Sequence, residues 1–235
     1  AKAGQFINLY CQDQSKLLPR PISICGVDQE EGLLRIVYAV VGEGTKEFAT
    51  LKSGNKIDIL GPLGSGFDLE KAKGCKKVLI VGGGVGTPPL LQLAKDLKKQ
   101  FGADLELNIV LGFRDDPYLF SEFEVYGKVY LATDSGKVGY HGNVVSLMKE
   151  KLQLTKQDAK EYFAFSCGPT PMLKALQSYF TELDMEAQFS LEERMGCGFG
   201  GCVGCVVPIG TLEDFEYKKV CKDGPVFDYR KVIFP

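Results

Sequence analysis

Four of the eight cysteines lie together in a glycine-rich segment near the end of the 235-residue chain. Cys197, Cys202 and Cys205 have the spacing C-x4-C-x2-C, and Cys221 follows sixteen residues later. Glycine leaves a loop conformationally free and gives it no side chain to bury. A loop of this composition therefore needs something bound by its thiols to fix its shape.

The cysteine spacing is typical of plant-type [2Fe–2S] sites, in which thiolates hold two irons. Glycines beside the ligands let backbone N–H groups approach the sulfurs. The alternative is a four-cysteine zinc knot, which is usually built from closer C-x2-4-C pairs. The only histidine is His141, so histidine-rich zinc sites and Rieske-type ligation are excluded. The pattern favours the iron–sulfur interpretation and makes the four cysteines its candidate ligands.

The other four cysteines, and the charge balance, exclude several classes of protein. Cys11, Cys25, Cys75 and Cys167 are scattered, and eight cysteines are too dilute for a disulfide framework. The net charge is −2 with no long basic run, so nucleic acid and anionic membranes are not expected partners. No apolar stretch approaches the length of a membrane span, and no signal peptide is visible. We expect a cytoplasmic location.

Strand and helix patterns predict a multidomain fold. Residues 1–72 contain short runs rich in β-branched residues at 5–10, 22–26, 33–41 and 56–60, which predict an antiparallel β-barrel without a helix. The chain enters its first strand almost at once, so we expect early barrel strands to be missing. Residues 73–186 alternate strands and helices, as in a parallel-sheet α/β domain. Residues 187–235 form a small cysteine domain, with a strand expected around 203–209 and a tail from Phe215.

Two segments at the ends of predicted α/β strands are candidates for ligand binding. Gly82-Gly-Gly-Val-Gly-Thr-Pro-Pro89 lies between an apolar strand and a helix, where backbone and helix N–H groups can face a pyrophosphate. Its match to G-x-G-x-x-G is incomplete because Thr87 replaces the third glycine, and an ordinary tight turn is the alternative. Cys167-Gly168-Pro169 ends another strand, although a lone cysteine there is more often core packing.

The barrel region offers weaker signals. Arg20-Pro-Ile-Ser23 could pair a guanidinium with phosphate, and Gly42-Glu-Gly-Thr45 follows the next predicted strand. Taken alone, these residues favour the interpretation of Arg20 as an ordinary surface arginine.

The ordered set of these motifs, with Gly61-Pro-Leu-Gly64, resembles the ferredoxin–NADP reductase superfamily over essentially the whole chain. The stretch from Glu193 to Cys205 is more narrowly similar to electron-transfer subunits of NAD-dependent, B-type dihydroorotate dehydrogenases. The resemblance implies an FAD-binding barrel, an NAD-binding α/β domain and a C-terminal [2Fe–2S] domain. Ala39 departs from the pattern, since relatives often have a polar or basic residue there.

The resemblance also implies site residues. Ser23 and Cys167 would orient the flavin and the nicotinamide. FAD would contact Arg20, Pro21, Ile22, Ser23, Val37, Tyr38, Ala39, Gly44 and Thr45. The nicotinamide nucleotide would be bordered by Gly82, Gly83, Gly84, Gly86, Thr87, Cys167, Gly168 and Pro169. Asp115 and Asp116 lie near the expected 2′-phosphate position and disfavour NADP, whereas Arg114 favours it. NAD is therefore favoured mainly by the family resemblance.

By the same resemblance, electrons would pass from the FMN of a dihydroorotate dehydrogenase catalytic subunit through [2Fe–2S] and FAD to NAD⁺, in pyrimidine (UMP) biosynthesis. The expected assembly is a heterotetramer of two plus two subunits, in which this chain does not bind dihydroorotate. One alternative is a subunit of sulfide dehydrogenase or NADH-dependent ferredoxin:NADP oxidoreductase, relatives that often replace a cluster cysteine. A remote alternative is a non-enzymatic zinc-binding nucleotide sensor.

Overall fold

The computed structural model describes residues 1–235. The first part of the chain forms a four-stranded antiparallel sheet with the spatial order β3-β2-β1-β4. Its strands are β1 (Phe6–Tyr10), β2 (Arg20–Asp28), β3 (Leu33–Ile36) and β4 (Asp58–Leu63). Ile7, Leu9 and Ile24 bury one face of the sheet. The sheet is open, with β3 and β4 at its edges, so the prediction of a β-barrel with strands missing at its start is not confirmed by these four strands.

A short helix, α1 (Glu43–Ala49), interrupts this first part, where no helix was predicted. The predicted strand at 33–41 ends at Ile36, and the chain then turns into the helix. Thr45 Oγ1 accepts hydrogen bonds from the N–H groups of Val41 and Gly42, both at 3.0 Å. Phe48 packs against the core of the sheet. Seven residues are too few for helical periodicity to show in the sequence, which is why the helix was missed.

The middle of the chain has the predicted α/β alternation. Its strands and helices are β5 (Lys77–Gly83), α2 (Pro88–Phe101), β6 (Glu106–Phe113), α3 (Phe120–Phe123), β7 (Lys128–Thr133), β8 (Tyr140–His141), α4 (Val144–Lys151), α5 (Lys156–Ala159), β9 (Tyr162–Cys167), α6 (Thr170–Leu183) and β10 (Glu186–Ser190). Single 3-10 turns occupy Leu69–Ala72, Gly84–Gly86 and Tyr229–Lys231. None of the helices combines the length and the apolar composition that crossing a membrane requires.

A seven-stranded sheet organises this region, in the order β13-β10-β9-β5-β6-β7-β8. Strand β5 is central, and its buried residues 78–81 explain the continuous apolar run in the sequence. The chain leaves β5 in one direction towards β6 and returns on its other side at β9, so β5 and β9 form a topological switch point. Ligands of open α/β sheets bind beside the carboxyl ends of strands at such a point.

The last part of the chain forms β11 (Val206–Gly210) and β12 (Phe215–Lys219), an antiparallel hairpin, followed by β13 (Val226–Asp228). Strand β13 pairs antiparallel with β10 and so joins the large sheet. The tail was predicted to lie in a separate cysteine domain, and the predicted boundary at 186/187 falls within β10. A three-residue strand is defined by its pairing partner rather than by its own pattern, so the sequence did not reveal it.

Candidate functional site

A cleft of about 400 Å³ separates the antiparallel sheet from the carboxyl edge of the parallel sheet. Its volume is in the range of cofactor sites. The structure brings together eleven residues that the sequence analysis had singled out in separate motifs. They are Arg20, Pro21, Ile22, Ser23, Val37, Tyr38, Ala39, Thr45, Gly86, Cys167 and Gly168.

Arg20 lies at one end of the cleft, directly over the backbone of Gly44. A Cβ atom at Gly44 would lie 2.7 Å from the guanidinium carbon, so a larger residue at position 44 would displace the guanidinium from this place. The Nη1 atom of Arg20 donates a hydrogen bond to the carbonyl of Leu18, which holds the guanidinium in place. The remaining N–H donors give this end of the cleft a fixed positive charge suited to phosphate.

The wall of the cleft comes from β2 and from the segment after β3. Ser23 is half-buried and stands opposite Phe6 in the β1–β2 register. Tyr38 contacts Phe48 edge to face, with ring centroids 6.3 Å apart. Through Phe48, helix α1 holds Tyr38 in place beside the Ser23 hydroxyl. An apolar and aromatic surface next to one hydroxyl suits a planar ring system with polar edges.

The glycine turn after β5 packs against the end of β9. Gly82 and Cys167 are partners in the β5–β9 register. A Cβ at Gly86 would lie 2.5 Å from the nitrogen of Gly168 and 2.6 Å from the carbonyl oxygen of Cys167. A Cβ at Gly83 would lie 2.5 Å from the sulfur of Met172. The glycines are therefore needed for backbone contact between two strand ends, and this contact forms the floor of the cleft.

The start of α2 offers fewer free N–H groups than the sequence suggested. Both Pro88 and Pro89 occupy the first helical turn and have no N–H, and the Leu90 N–H donates to the Thr87 carbonyl. The Thr87 hydroxyl is fully buried and has no hydrogen-bond partner. Gly82, Gly83, Gly84, Thr87 and Pro169 do not line the cleft directly. They support Gly86 and Gly168, which do.

Cys167 lies at the edge of the cleft as a protonated thiol. Burial is the main cause that raises the pKa of Cys167 to about 12, the Glu192 carboxylate raises it slightly, and a hydrogen bond with Ser190 lowers it. The lone histidine, exposed His141, is on the edge strand β8. A thiol with this pKa and no adjacent base is not a nucleophile at neutral pH.

Part of the cleft was missed by the sequence analysis. The segment after β10 lines it with Ser190, Leu191, Glu192, Glu193 and Met195. Phe6, Val41, Val85 and Pro225 complete the lining. The segment runs from the cleft directly into the cysteine loop, and two adjacent glutamates before the first loop cysteine are the signal that could have indicated it.

The cysteine loop brings its four cysteines close together. Cys202 lies beside Cys197 as a first pair, and Cys221 lies beside Cys205 and near Cys197. Cys205 and Cys221 are buried, whereas the first pair is half-buried. No three cysteine, histidine or acidic side chains converge on a single-ion site. Four cysteines in one loop are the donor set of a [2Fe–2S] cluster, and their C-x4-C-x2-C spacing is what distinguishes this site from a zinc knot.

Backbone groups of the loop face the sulfurs. The Cys202 N–H donates to Cys197 Sγ at 3.3 Å, and the Gly204 N–H donates to Cys202 Sγ at 3.5 Å. Burial raises the pKa of Cys197, but backbone donors led by Phe199 outweigh it and lower the pKa to about 6. Burial and then the Cys205 contact raise the pKa of Cys221 to about 12. The donors favour the thiolate form of Cys197, the form in which a cysteine binds an iron–sulfur cluster.

Comparison with known proteins agrees with this donor set. Residues 192–233 match the family model described as the iron–sulfur cluster binding domain of dihydroorotate dehydrogenase B. Electron-transfer subunits of dihydroorotate dehydrogenase B (NAD⁺) match nearly the whole chain. The protein from Caldanaerobacter subterraneus subsp. tengcongensis is 42% identical over 231 residues, which are 98% of this chain and 87% of that protein.

The chain belongs to this family of electron-transfer subunits. The relative from Fusobacterium nucleatum is also 42% identical, over 95% of this chain and 84% of that protein. Membership confirms the predictions of an oxidoreductase subunit that transfers electrons with FAD, an iron–sulfur cluster and NAD.

Superposition on solved structures shows which known fold this chain shares. A chain of an NADH-dependent reduced ferredoxin-NADP oxidoreductase superposes with a TM-score of 0.83 and 31% identity, over 99% of this chain and 80% of that chain. A ferredoxin reductase of carbazole 1,9a-dioxygenase superposes with a TM-score of 0.65 over 80% of this chain and 60% of that chain, at 21% identity. These neighbours confirm the ferredoxin-reductase-like architecture of an antiparallel sheet domain and a parallel sheet domain.

Proposed function

We propose that this electron-transfer subunit carries electrons between the FMN of a dihydroorotate-oxidising catalytic subunit and NAD⁺. The observation that carries the proposal is the continuous segment 190–197, which lines the cleft at one end and supplies the first loop cysteine at the other. One chain thus holds a hydride-exchange site beside a one-electron carrier. The full-length similarity to the named subunits supports dihydroorotate as the partner's substrate.

The residues at the cleft fit FAD. Arg20 and the Gly44–Thr45 backbone would hold its phosphates, and residues 21–23 and 37–39 would lie along its ring system. The support is the guanidinium fixed over Gly44, and the apolar wall with one serine hydroxyl. Bound flavin can exchange a hydride with NAD and single electrons with an iron–sulfur cluster.

The residues at the strand ends fit a nicotinamide nucleotide. Residues 82–87 and 167–169 would border it at the switch point of the parallel sheet, where Gly86 and Gly168 line the cleft. The chain's part in the chemistry is to orient the two rings, exclude water and keep the Cys167 thiol protonated. Hydride exchange needs no acid or base here, which agrees with a site that has no histidine.

The cluster would be held by Cys197, Cys202, Cys205 and Cys221. The same proposal assigns flavin binding to residues 1–72, nicotinamide binding to 73–186 and the cluster to 187–235, with β13 tying the last part to the large sheet. The assembly would contain two of these chains and two FMN subunits in the cytoplasm.

The proposal is tested by combining the purified chain with an FMN-containing dihydroorotate dehydrogenase catalytic subunit. We expect co-purification and dihydroorotate-dependent NAD⁺ reduction by the complex, and no such reduction by either subunit alone. The matched control is the same catalytic subunit stripped of FMN. NAD⁺ reduction that ignores dihydroorotate but follows reduced ferredoxin would contradict the proposal. It would favour the ferredoxin-linked alternative, which has the weaker sequence support of 31% identity.

A further inference from the structure

Asn8 is a fully buried polar residue in the middle of β1. Side chains alternate between the faces of a strand, so Asn8 and Phe6 face away from Ile7 and Leu9, which fill the core of the antiparallel sheet. Phe6 belongs to the same apolar cluster as Cys205 and Cys221. The face of β1 that carries Asn8 is thus covered by the cysteine region.

The Asn8 side chain makes its contacts with the first loop cysteine and its neighbour. Its Nδ2 atom donates a hydrogen bond of 2.9 Å to the carbonyl oxygen of Cys197, across 189 positions of sequence. A Cβ at Gly198 would lie 2.5 Å from both Asn8 Nδ2 and Asn8 Oδ1. Gly198 also has a φ of +73°, so the glycine both permits the loop turn and lets the Asn8 amide approach the loop backbone closely.

The polarity of Asn8 has no other use in the structure. Its Oδ1 atom is buried and has no hydrogen-bond partner, which carries a desolvation cost. A leucine of similar size would avoid that cost on a face shared with apolar residues. The hydrogen bond to the Cys197 carbonyl is the one interaction of the amide that offsets this desolvation cost.

The position of Asn8 connects two sites. In the β1–β2 register it stands opposite Pro21, which lines the cleft. One residue therefore joins the strand beside the cleft to the peptide that carries the first cluster ligand.

We propose that Asn8 is a positioning residue for the iron–sulfur cluster, which fixes the Cys197 peptide relative to the cleft and thereby the geometry and reduction potential of the cluster. The inference rests on one part of the proposed function, the assignment of a [2Fe–2S] cluster to the four loop cysteines.

The test is Asn8→Leu in the full chain carrying its cofactors. We expect unchanged FAD content and unchanged flavin reduction by NADH, together with an altered EPR spectrum and a shifted midpoint potential of the reduced cluster. Loss of one net hydrogen bond makes chelator-induced bleaching of the cluster about tenfold faster. The matched control is Asn108→Leu, since Asn108 is also a buried strand asparagine, with hydrogen bonds to Glu106 and Tyr162 far along the chain from the cysteines. It should leave the EPR spectrum and the potential unchanged.

A double-mutant cycle of Asn8→Ala and Gly198→Ala covers the case in which Asn8→Leu does not fold. The positive-φ cost of Gly198→Ala is present in both backgrounds and cancels. We expect Gly198→Ala to speed cluster loss less in the Asn8→Ala background, because the clash with the amide is gone. Additive effects, or an Asn8→Leu cluster indistinguishable from wild type, would overturn the role of Asn8. A wild-type chain without iron and sulfide would instead overturn the cluster assignment.

Discussion

At the residue scale, the Arg20 guanidinium lies over the Gly44 backbone, in space that a Cβ at position 44 would occupy. Neither residue is distinctive by itself, and an arginine beside a proline is compatible with an ordinary surface site. Twenty-four positions separate them in sequence. In the folded chain, β2 and α1 place these two residues side by side at the cleft, and this contact identifies them as a candidate phosphate site. The cysteines differ, because their spacing already specifies the chemistry that they share.

The prediction at the residue scale concerns Ser23. We expect Ser23→Ala to keep FAD bound while flavin reduction by NADH slows about tenfold, because one hydrogen bond to the reacting ring is lost. Stopped-flow absorbance measures the rate. Ser178→Ala on α6, where the hydroxyl bonds only the Lys174 carbonyl, is the control. An unchanged rate of flavin reduction in Ser23→Ala would show that the Ser23 hydroxyl does not act on the reacting ring.

At the element scale, the long strands and helices followed their periodicity closely. Residues 90–101 and 171–183, which have helical patterns in the sequence, lie in α2 and α6, and these helices begin two residues and one residue earlier. The elements that were missed are short, and they include α1, β8 and β13. A short element is stabilised by its cap and by its packing partners rather than by its own sequence pattern, so propensity and periodicity carry little information about it.

Thr45 carries the element-scale prediction, since its hydroxyl joins the segment before α1 to the helix through three hydrogen bonds. Thr45→Val should lower the free energy of unfolding by about 1 kcal/mol and speed FAD dissociation, because α1 supports the phosphate end of the cleft. Urea unfolding and flavin fluorescence measure the two effects.

The control for Thr45 is Thr155→Val, which removes a similar cap from α5 away from the cleft. It should cost comparable stability without changing FAD dissociation. Equal FAD dissociation rates in the two variants would show that α1 has no part in holding the cofactor.

At the scale of the whole molecule, the three predicted units are packed through shared surfaces. Phe6 of the first sheet lies in one apolar cluster with Cys205, Cys221 and residues of the parallel sheet. The N–H of Ser65 donates to the Gly224 carbonyl at 2.6 Å, which ties the segment after β4 to the segment before β13. The distance between the cleft and the cysteine loop is therefore fixed by packing rather than by a flexible linker.

Cys202 carries the prediction at this scale. Cys202→Ala should lose the cluster absorbance and lower dihydroorotate-dependent NAD⁺ reduction to background, while NADH still reduces the flavin. Cys75→Ala, a half-buried cysteine outside the loop, should retain all three properties. Electron flow to the partner that survives in Cys202→Ala would show that the path avoids the cluster.

The sequence by itself determined the strand and helix alternation around Gly82–Pro89, and it indicated the four candidate cluster cysteines and the motifs that border the cleft, because each of these depends on local spacing. Only the tertiary structure decided that residues 190–195 line the same cleft and that Asn8 is buried against Cys197. In sequence Asn8 is one polar residue in the alternation of β1, and alternation specifies its face but not what covers that face. Contacts between segments far apart in the chain depend on how whole elements pack, which no local pattern records.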